Sequence, residues 1–397
     1  MIIEPAIRSN ICINAHPLGS KQFVQNQIDE VKLLGTFPGP KNVLIIGGSS
    51  GYGLSSRIAL AFGARANTIN VSFESGPSGK RTGVAGWWNN IYFQQLAKET
   101  NRLHKDFNGD AFSQAMKNQV IDYIKHTLGS IDLVVYSLAS PVRNNESTNQ
   151  LVRSAIKAIG SEVSGKTIDI ASRKVLDLTV QSASEEEIKD TVYVMGGEDW
   201  LFWIQALDQA GLLAKNAKTI SYTYIGGETT TRLYRGGTLG KAKEDLEAKA
   251  VQIHELLTQK YQGEALISSS KAVVTKASVF IPQMPIYVSC IYEVMKKRGV
   301  HESITAHKHR LFKDMVYGNK RIVDDQKRIR LDHLEMDPSI QEEAIALMNK
   351  TTDQGLFDLE GTKLFIEEFY KMNGFGHPEV NYLQNISIED MGSFLAL

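Results

Sequence analysis

A chain of 397 residues with 44 basic and 44 acidic side chains has no formal net charge, which excludes an overall electrostatic attraction to nucleic acid or to an anionic membrane. Its 42% hydrophobic and 22% charged content is that of a globular chain able to form two domains or one enlarged α/β unit. Two cysteines, Cys12 and Cys290, are too few for a disulfide framework or a cysteine metal cluster.

Residues 1–40 precede the first obvious core strand and read as an N-terminal extension packed on the core. Their opening, MIIEPAIRSNICINAHP, carries acid and arginine early and lacks a long apolar core, so a secretory signal is not expected. Pro38, Gly39 and Pro40 punctuate the junction. From Lys41 to Glu74 the chain reads as strand, glycine turn, helix and strand. Val43 to Ile46 is an unbroken run suited to a strand buried on both faces of a parallel sheet. Gly47, Gly51 and Gly53 come next, then a helical pattern through Leu54, Ile58, Leu60, Ala61 and Phe62, then a strand from Thr68 to Phe73 closed by Glu74. Glycines there let the backbone approach a pyrophosphate, whose charge rests on the amides and dipole of the helix N-terminus. Glu74 can accept from ribose hydroxyls and would repel a 2'-phosphate, which favours NAD over NADP.

Alternation continues downstream. The glycine-rich segment SGPSGKRTGVAGWWNN is too long for a plain connection and marks a functional loop. Its Trp87 and Trp88 read either as a cover for a ligand or as simple packing. Ile91 to Leu103 is expected to be helical, with a short strand ending near Phe107, a turn at Asn108-Gly109-Asp110 and a second helix from Ala111 to Leu128. IDLVVYSL, Ile131 to Leu138, reads as a strong buried strand. Val163 to Val180 suggests a hairpin insertion, and Ser184 opens helices interrupted at Gly196-Gly197, with Trp200 and Trp203 on a core face. KTISYTYI, Lys218 to Ile225, and Ala265 to Thr275 are further strands flanking a long helix from Gly240 to Tyr261. The apolar stretch Ala277 to Met295 is broken by Pro282 and Pro285 and is a poor membrane span. Beyond about residue 296 the pattern is charged and helical. The basic run Lys296 to Lys313 reads as a solvated face, and His307, His309 and Glu302 as ordinary surface groups, not a zinc site. The expected fold is therefore a Rossmann-type doubly wound parallel sheet over 41–295, enlarged by insertions, with a helical lobe at 296–397 in the same unit.

The polar cluster Tyr222, Tyr224, Tyr234 and Lys243 carries the chemistry. Thr238 reads as an N-cap that places Lys243 in the first turns of the long helix, reaching back towards Tyr234. A lysine beside a phenol lowers the phenol's pKa and can hold a nicotinamide ribose. Such a tyrosine can hydrogen-bond a carbonyl that becomes an enolate when hydride arrives at the β-carbon. No G-x-S-x-G elbow or Walker A sequence supports a hydrolase or P-loop reading.

With NICINAHP, GGSSGYGL, VSFE, NGDAFS, VVYSLASPVR, VMGGEDW, YTYIG, YRGGTLGKAK and KAVVT in order, nearly the whole chain resembles the FabV-type enoyl reductases, also described as trans-2-enoyl-CoA reductases. The resemblance implies NADH-dependent reduction of a trans-2-enoyl thioester carried on acyl carrier protein or coenzyme A, by an enzyme that is usually monomeric; with neither a signal nor a membrane span expected, a cytoplasmic protein is the default. It implies pyrophosphate binding by Gly47, Gly48, Ser49, Ser50, Gly51 and Tyr52, and adenosine contacts from Phe73 and Glu74. Asp110, Ala111, Leu138 and Ala139 would line the crevice, and Val273, Val274 and Thr275 would complete the cofactor site. Tyr234 would be the catalytic tyrosine, Lys243 a cofactor ligand and Tyr224 a substrate contact. Trp88 and Ser20 depart from the residues usual there, a tyrosine and a cysteine. A carbonyl reductase, or an NAD-binding sensor without catalysis, are the alternative readings; the missing Tyr-x3-Lys spacing counts against the first.

Overall fold

The structure, a computed structural model, describes residues 1–275, 278–281 and 283–388. Seven parallel strands form its centre: β1 (Asn42–Ile46), β2 (Asn67–Ser72), β3 (His104–Asn108), β4 (Ile131–Tyr136), β5 (Leu213–Thr223), β6 (Glu264–Ser269) and β7 (Ile329–Arg330). Their order across the sheet is β3-β2-β1-β4-β5-β6-β7. The order therefore reverses between β1 and β4, which opens a crevice beyond the carboxyl ends of those two strands, where an open α/β sheet binds its ligand.

The unbroken apolar run of β1 results from burial on two sides. Val43 and Ile45 enter one core cluster with Val24, Ile28 and Val31 of helix α1 (Pro17–Leu34). Leu44 and Ile46 enter a second cluster, on the other face, with Trp200 and Trp203. Successive strand residues point to opposite faces, so two helical layers need apolar residues at every position. The helix carrying the tryptophans starts after Gly196-Gly197, where the preceding helix, Glu185–Met195, ends. That preceding helix is set by a reciprocal cap: Glu187 donates its amide to the Ser184 hydroxyl while its carboxylate accepts from the Ser184 amide.

The expected hairpin forms, pairing Val163–Asp169 with Lys174–Val180. It packs on helix α2 (Met284–Lys297). This helix is the centre of a third cluster, covered by the C-terminal helices Pro338–Lys350 and Glu360–Lys371. Among the described residues, no helix is long and apolar enough to cross a membrane. Ala277 and Pro282 of the proline-broken stretch lie outside the described residues.

Three expectations are corrected. KAVVT continues no strand: β6 ends at Ser269, opposite Thr223, the last residue of β5, and at the second of its two pairs with β7. The helix expected at Ile91 to Leu103 starts earlier, as Ala85–Leu96, and takes in the tryptophan pair. The basic run is not a uniformly solvated face. His307, Lys308 and His309 are buried beneath the sheet's carboxyl end, held there by the Ile304–Arg310 helix packing against the helix Gly51–Ile58.

Candidate active site

At the carboxyl end of β1 the chain turns through Gly47, at φ +90°, and Gly51, at φ +53°, into the helix Gly51–Ile58. Both values fall where a side chain is strained and glycine is not. The turn is also sterically closed: a Cβ on Gly53 would lie 1.9 Å from the Gly47 carbonyl oxygen, and one on Gly47 would lie 2.6 Å from that of Ser137. Gly48 donates its amide to Asn70 Oδ1 (2.8 Å). Asn70 in turn donates to Asp106 Oδ1 (2.7 Å), which with Oδ2 receives a two-point contact from buried Arg57 (2.7 and 3.0 Å). Ser50 stands at the helix N-cap without a side-chain cap bond, so the amides of the first turn stay available to an anion. The Tyr52 hydroxyl donates to the Lys271 carbonyl (2.6 Å), and Gly51 lies against Thr275. The glycine turn and the KAVVT segment therefore meet.

Glu74 sits where an acid is wanted. Its Oε1 accepts from the Ser49 hydroxyl (2.5 Å), and its carboxylate lies over the first turn of Ala85–Leu96, where Gly86 leaves room for it. Phe73 beside it is 79% exposed, an apolar ring free to take a flat base. Trp88 is fully buried, donates its indole NH to the Thr82 carbonyl (2.7 Å) and stacks on Tyr92. It organises the long loop and does not cover the crevice. Asp110 accepts from the Phe112 amide (2.9 Å), and Ala111 gives its carbonyl to Lys117 and Trp203. Both are engaged in turn chemistry on the β3 side. Leu138 lies against Gly47, and Ala139 is exposed at the end of β4. Val273 and Thr275 are tied by the Ser278 hydroxyl, and Val274 is buried.

The tyrosines gather on the other side of the crevice. The rings of Tyr224 and Tyr234 meet edge to face with centroids 4.8 Å apart. Lys243 does not pair with Tyr234 as its spacing suggested. Its Nζ donates to the Tyr222 carbonyl (3.0 Å), while the Tyr222 hydroxyl contacts Ser56 (2.6 Å). Burial lowers the Lys243 pKa to about 8, opposed by Glu247 and assisted by Arg235. Nor is the Tyr234 phenol made more acidic. Burial pushes its pKa up to about 12, against a smaller lowering by Arg235, so it stays a neutral donor at physiological pH. Arg235 is committed to Glu247 through two contacts (2.9 and 2.8 Å). Thr238 is the first residue of the helix Thr238–Tyr261, not its cap, and donates its hydroxyl to the Ala155 carbonyl. It ties the turn after Tyr234 to the insertion.

Sequence reasoning missed a layer of buried polar groups under these tyrosines. Lys308 Nζ lies 3.5 Å from the Tyr222 ring centroid and donates to Ser270 Oγ (2.7 Å). Glu335, on the C-terminal lobe, accepts from the Tyr287 hydroxyl (2.7 Å) and the Ala272 amide (2.6 Å). His307 contacts Glu302 (2.6 Å), which also pairs with Arg310; among the described residues no cluster could hold a metal ion. A lone lysine or glutamate inside a charged run carries no local signal of burial.

Three family profiles match consecutive segments: an NAD(P)H binding domain of trans-2-enoyl-CoA reductase over residues 2–79, a trans-2-enoyl-CoA reductase catalytic region over 81–317, and an enoyl reductase FAD binding domain over 323–386. Over its full length the chain is 44% identical to an enoyl-[acyl-carrier-protein] reductase [NADH] of Photobacterium profundum, with 100% of each chain covered. It is 42% identical to a trans-2-enoyl-CoA reductase [NADH] of Clostridium perfringens, covering 98% of this chain and 99% of the relative. The crystal structure of a Clostridium trans-2-enoyl-CoA reductase in complex with NADH superposes with a TM-score of 0.96 at 42% identity, covering 98% of both chains. The chain belongs to the trans-2-enoyl-CoA reductase family. Its segment 323–386 does not fit a flavin. The helices there spend their apolar faces on α2, and the backbone of Gly361 lies so close to the Ser289 carbonyl that a Cβ would come within 2.0 Å of it.

Proposed function

We propose that this family member reduces the C2–C3 double bond of trans-2-enoyl thioesters with NADH, giving saturated acyl thioesters in the last reductive step of fatty-acid elongation. The observation that carries the reading is the meeting of two halves at the sheet's carboxyl end: a glycine turn that any Cβ would fill, and the edge-to-face pair Tyr224 and Tyr234. Gly47, Gly48, Ser49, Ser50, Gly51 and Tyr52 would hold the pyrophosphate, and Phe73 and Glu74 the adenosine. Asp110, Ala111, Leu138, Ala139 and Val273 to Thr275 would line the rest of the cofactor crevice, with Lys243 at the nicotinamide end. Bound there, NADH supplies the hydride that adds to Cβ. As negative charge develops on the thioester oxygen, the neutral Tyr234 hydroxyl donates a hydrogen bond to it, and its high pKa keeps the proton on the phenol. Lys243 acts by position, fixing the Tyr222 carbonyl, and Tyr224 forms the substrate-facing wall.

The segments 1–40, 41–295 and 296–397 act as one unit in this reading, a cytoplasmic monomer taking its substrate from acyl carrier protein or coenzyme A. The test is NADH consumption with a short enoyl-CoA and with a long enoyl-acyl carrier protein, Tyr234→Phe alongside. Loss of one oxyanion donor should lower kcat by roughly 10²–10³ with NADH affinity retained. Near-normal turnover by the variant would remove Tyr234 from the mechanism. Faster use of a β-ketoacyl thioester than of the enoyl thioester would favour a carbonyl reductase.

A further inference from the structure

Reduction needs a proton at Cα as well as a hydride at Cβ, and the Glu335 carboxyl is built into the wall behind the tyrosine pair. It is 1% exposed. Oε2 is fixed by the Ala272 amide at 2.6 Å, within the KAVVT segment, while Oε1 faces two phenols, Tyr287 at 2.7 Å and Tyr224 at 3.4 Å. Gln341 donates to the Tyr287 hydroxyl oxygen (2.9 Å), which fixes that phenol's orientation. Tyr224 is held less tightly, with the Thr230 hydroxyl 3.5 Å away, and its ring touches Tyr234.

The charges around the carboxyl are spoken for by other groups. Asp332, on the same turn, is paired with Arg330 and accepts from Ser269. Lys271 donates its ammonium to the Glu302 carbonyl. The Tyr292 hydroxyl goes to Glu368, and that of Tyr52 to the Lys271 carbonyl. Among the described residues no cation forms an ion pair with Glu335. An unpaired buried carboxyl favours its neutral form. Burial raises its pKa to about 7, opposed by the Tyr287 and Ala272 hydrogen bonds, raised further by Asp332 and lowered by Lys271.

We propose that Glu335 is the proton reservoir of the reduction, recharging Tyr224 as Tyr224 protonates the α-carbon. The inference rests on the enoyl reductase reading above. The hydride forms the Cβ–H bond and leaves NAD⁺; the resulting enolate uses its electron pair to take the Tyr224 phenolic proton at Cα. The O–H bond of the Glu335 carboxyl breaks as its proton passes to the Tyr224 oxygen. The net change is one hydride and one proton added to substrate, with Glu335 left as carboxylate, and one solvent proton restores it between turnovers. Tyr234 keeps its own proton throughout. The Tyr224 hydroxyl and the Glu335 carboxyl stand 3.4 Å apart, so a small closing movement brings them to hydrogen-bond reach for the transfer. Glu335 thus acts through Tyr224 and is a positioning and supply residue.

The experiment is kcat for a short enoyl-CoA from about pH 5.5 to 9, in H₂O and D₂O, for the wild type, Glu335→Gln and Glu335→Asp. Wild-type kcat should fall about tenfold per pH unit above the Glu335 pKa. Glu335→Gln should lose about tenfold or more at neutral pH, lose that basic limb and show a larger solvent isotope effect, with the KM for NADH within about twofold. Glu335→Asp should restore part of the rate and the limb. A Glu335→Gln enzyme with wild-type kcat and an unchanged limb overturns the inference while leaving the reductase reading intact; a wild type that consumes no NADH overturns both. Should the Gln variant not fold, infrared difference spectra of the wild type decide. A carboxylic-acid carbonyl band that vanishes on raising the pH through neutrality supports the reservoir, and no such band overturns it.

Discussion

Asp106→Ala should be among the most damaging single changes outside the crevice. Asp106 is buried, and its two oxygens accept from Arg57 (2.7 and 3.0 Å), Asn70 (2.7 Å) and Gln94 (2.7 Å). Arg57 is 0% exposed, its guanidinium 3.7 Å from the Phe93 ring centroid, so water cannot replace the lost carboxylate. Removing one partner of a buried pair costs about 3–5 kcal/mol, because the remaining charge stays desolvated. At about 2.1 cal/mol/K per residue over 397 residues, the unfolding entropy near Tm is about 0.8 kcal/mol/K, so Tm should fall by about 4–6 °C. Scanning calorimetry of the free protein measures this directly. NADH affinity should weaken as well, because Asn70 loses the partner that holds its amide against Gly48. The double variant Arg57→Met/Asp106→Leu removes both charges and should recover most of the loss. A shift below about 1 °C for Asp106→Ala, or a double variant as damaged as the single, would refute the claim that an uncompensated charge is the cause.

Gly53→Ala should abolish NADH binding by fluorescence titration, since its Cβ would stand 1.9 Å from the Gly47 carbonyl oxygen and backbone cannot yield there; tight binding by the variant would mean the turn is not the pyrophosphate cradle. Glu74→Ala should narrow the NADH-over-NADPH preference in kcat/KM by about tenfold or more, by removing a carboxylate that repels a 2'-phosphate; an unchanged ratio would move cofactor selection elsewhere. Glu335 has a folded pKa of about 7 against the ordinary glutamate value of 4.5, so the folded state holds a proton the unfolded state has released between those values. Stability should therefore fall as pH rises from about 4.5 to 7, by about 3 kcal/mol from this group. Glu335→Gln should remove that slope in urea unfolding, and an unaltered slope would show that Glu335 is ionised in the folded protein.

The elements legible in the sequence are those whose cause is local. The β1 run and glycine turn announce themselves because two-sided burial demands apolar residues at every position and a closed turn demands glycine. Ser184 and Glu187 sit three apart, so their helix start is readable. Tyr234 and Lys243 illustrate where this ends: both were identifiable, and they lie on neighbouring elements, but their relation was not readable. The lysine takes the Tyr222 carbonyl as its acceptor, and desolvation overrode the expected acidification of the phenol. Trp88 looked like a possible ligand cover because exposure cannot be read from a glycine-rich loop; its indole instead found the Thr82 carbonyl. Lys308 lay inside a run whose composition predicts solvent, and only the packing of Ile304–Arg310 against Gly51–Ile58 buries it. Glu335 meets Tyr224, Tyr287 and Ala272 from far along the chain. No spacing rule could have joined them.

These buried polar groups have a common origin in topology. A doubly wound sheet leaves the carboxyl ends of its strands open, and here the region beyond β5 and β6 is closed by the C-terminal lobe. The strands present backbone and hydroxyl groups at those ends: Ser269, Ser270 and the Ala272 amide. Closing them with apolar surface alone would strand those groups without partners, at a cost of about 1–3 kcal/mol each. The lobe instead brings Asp332 to Ser269, Lys308 to Ser270 and Glu335 to Ala272. Asp332 and Lys308 thereby satisfy the two strand-end hydroxyls, while the third group, Glu335, satisfies the Ala272 amide and also faces Tyr287 and Tyr224. A structural requirement of closing the sheet is thus sufficient to explain how an unpaired carboxyl came to lie beside Tyr224 and Tyr287, where the proposed proton supply needs it.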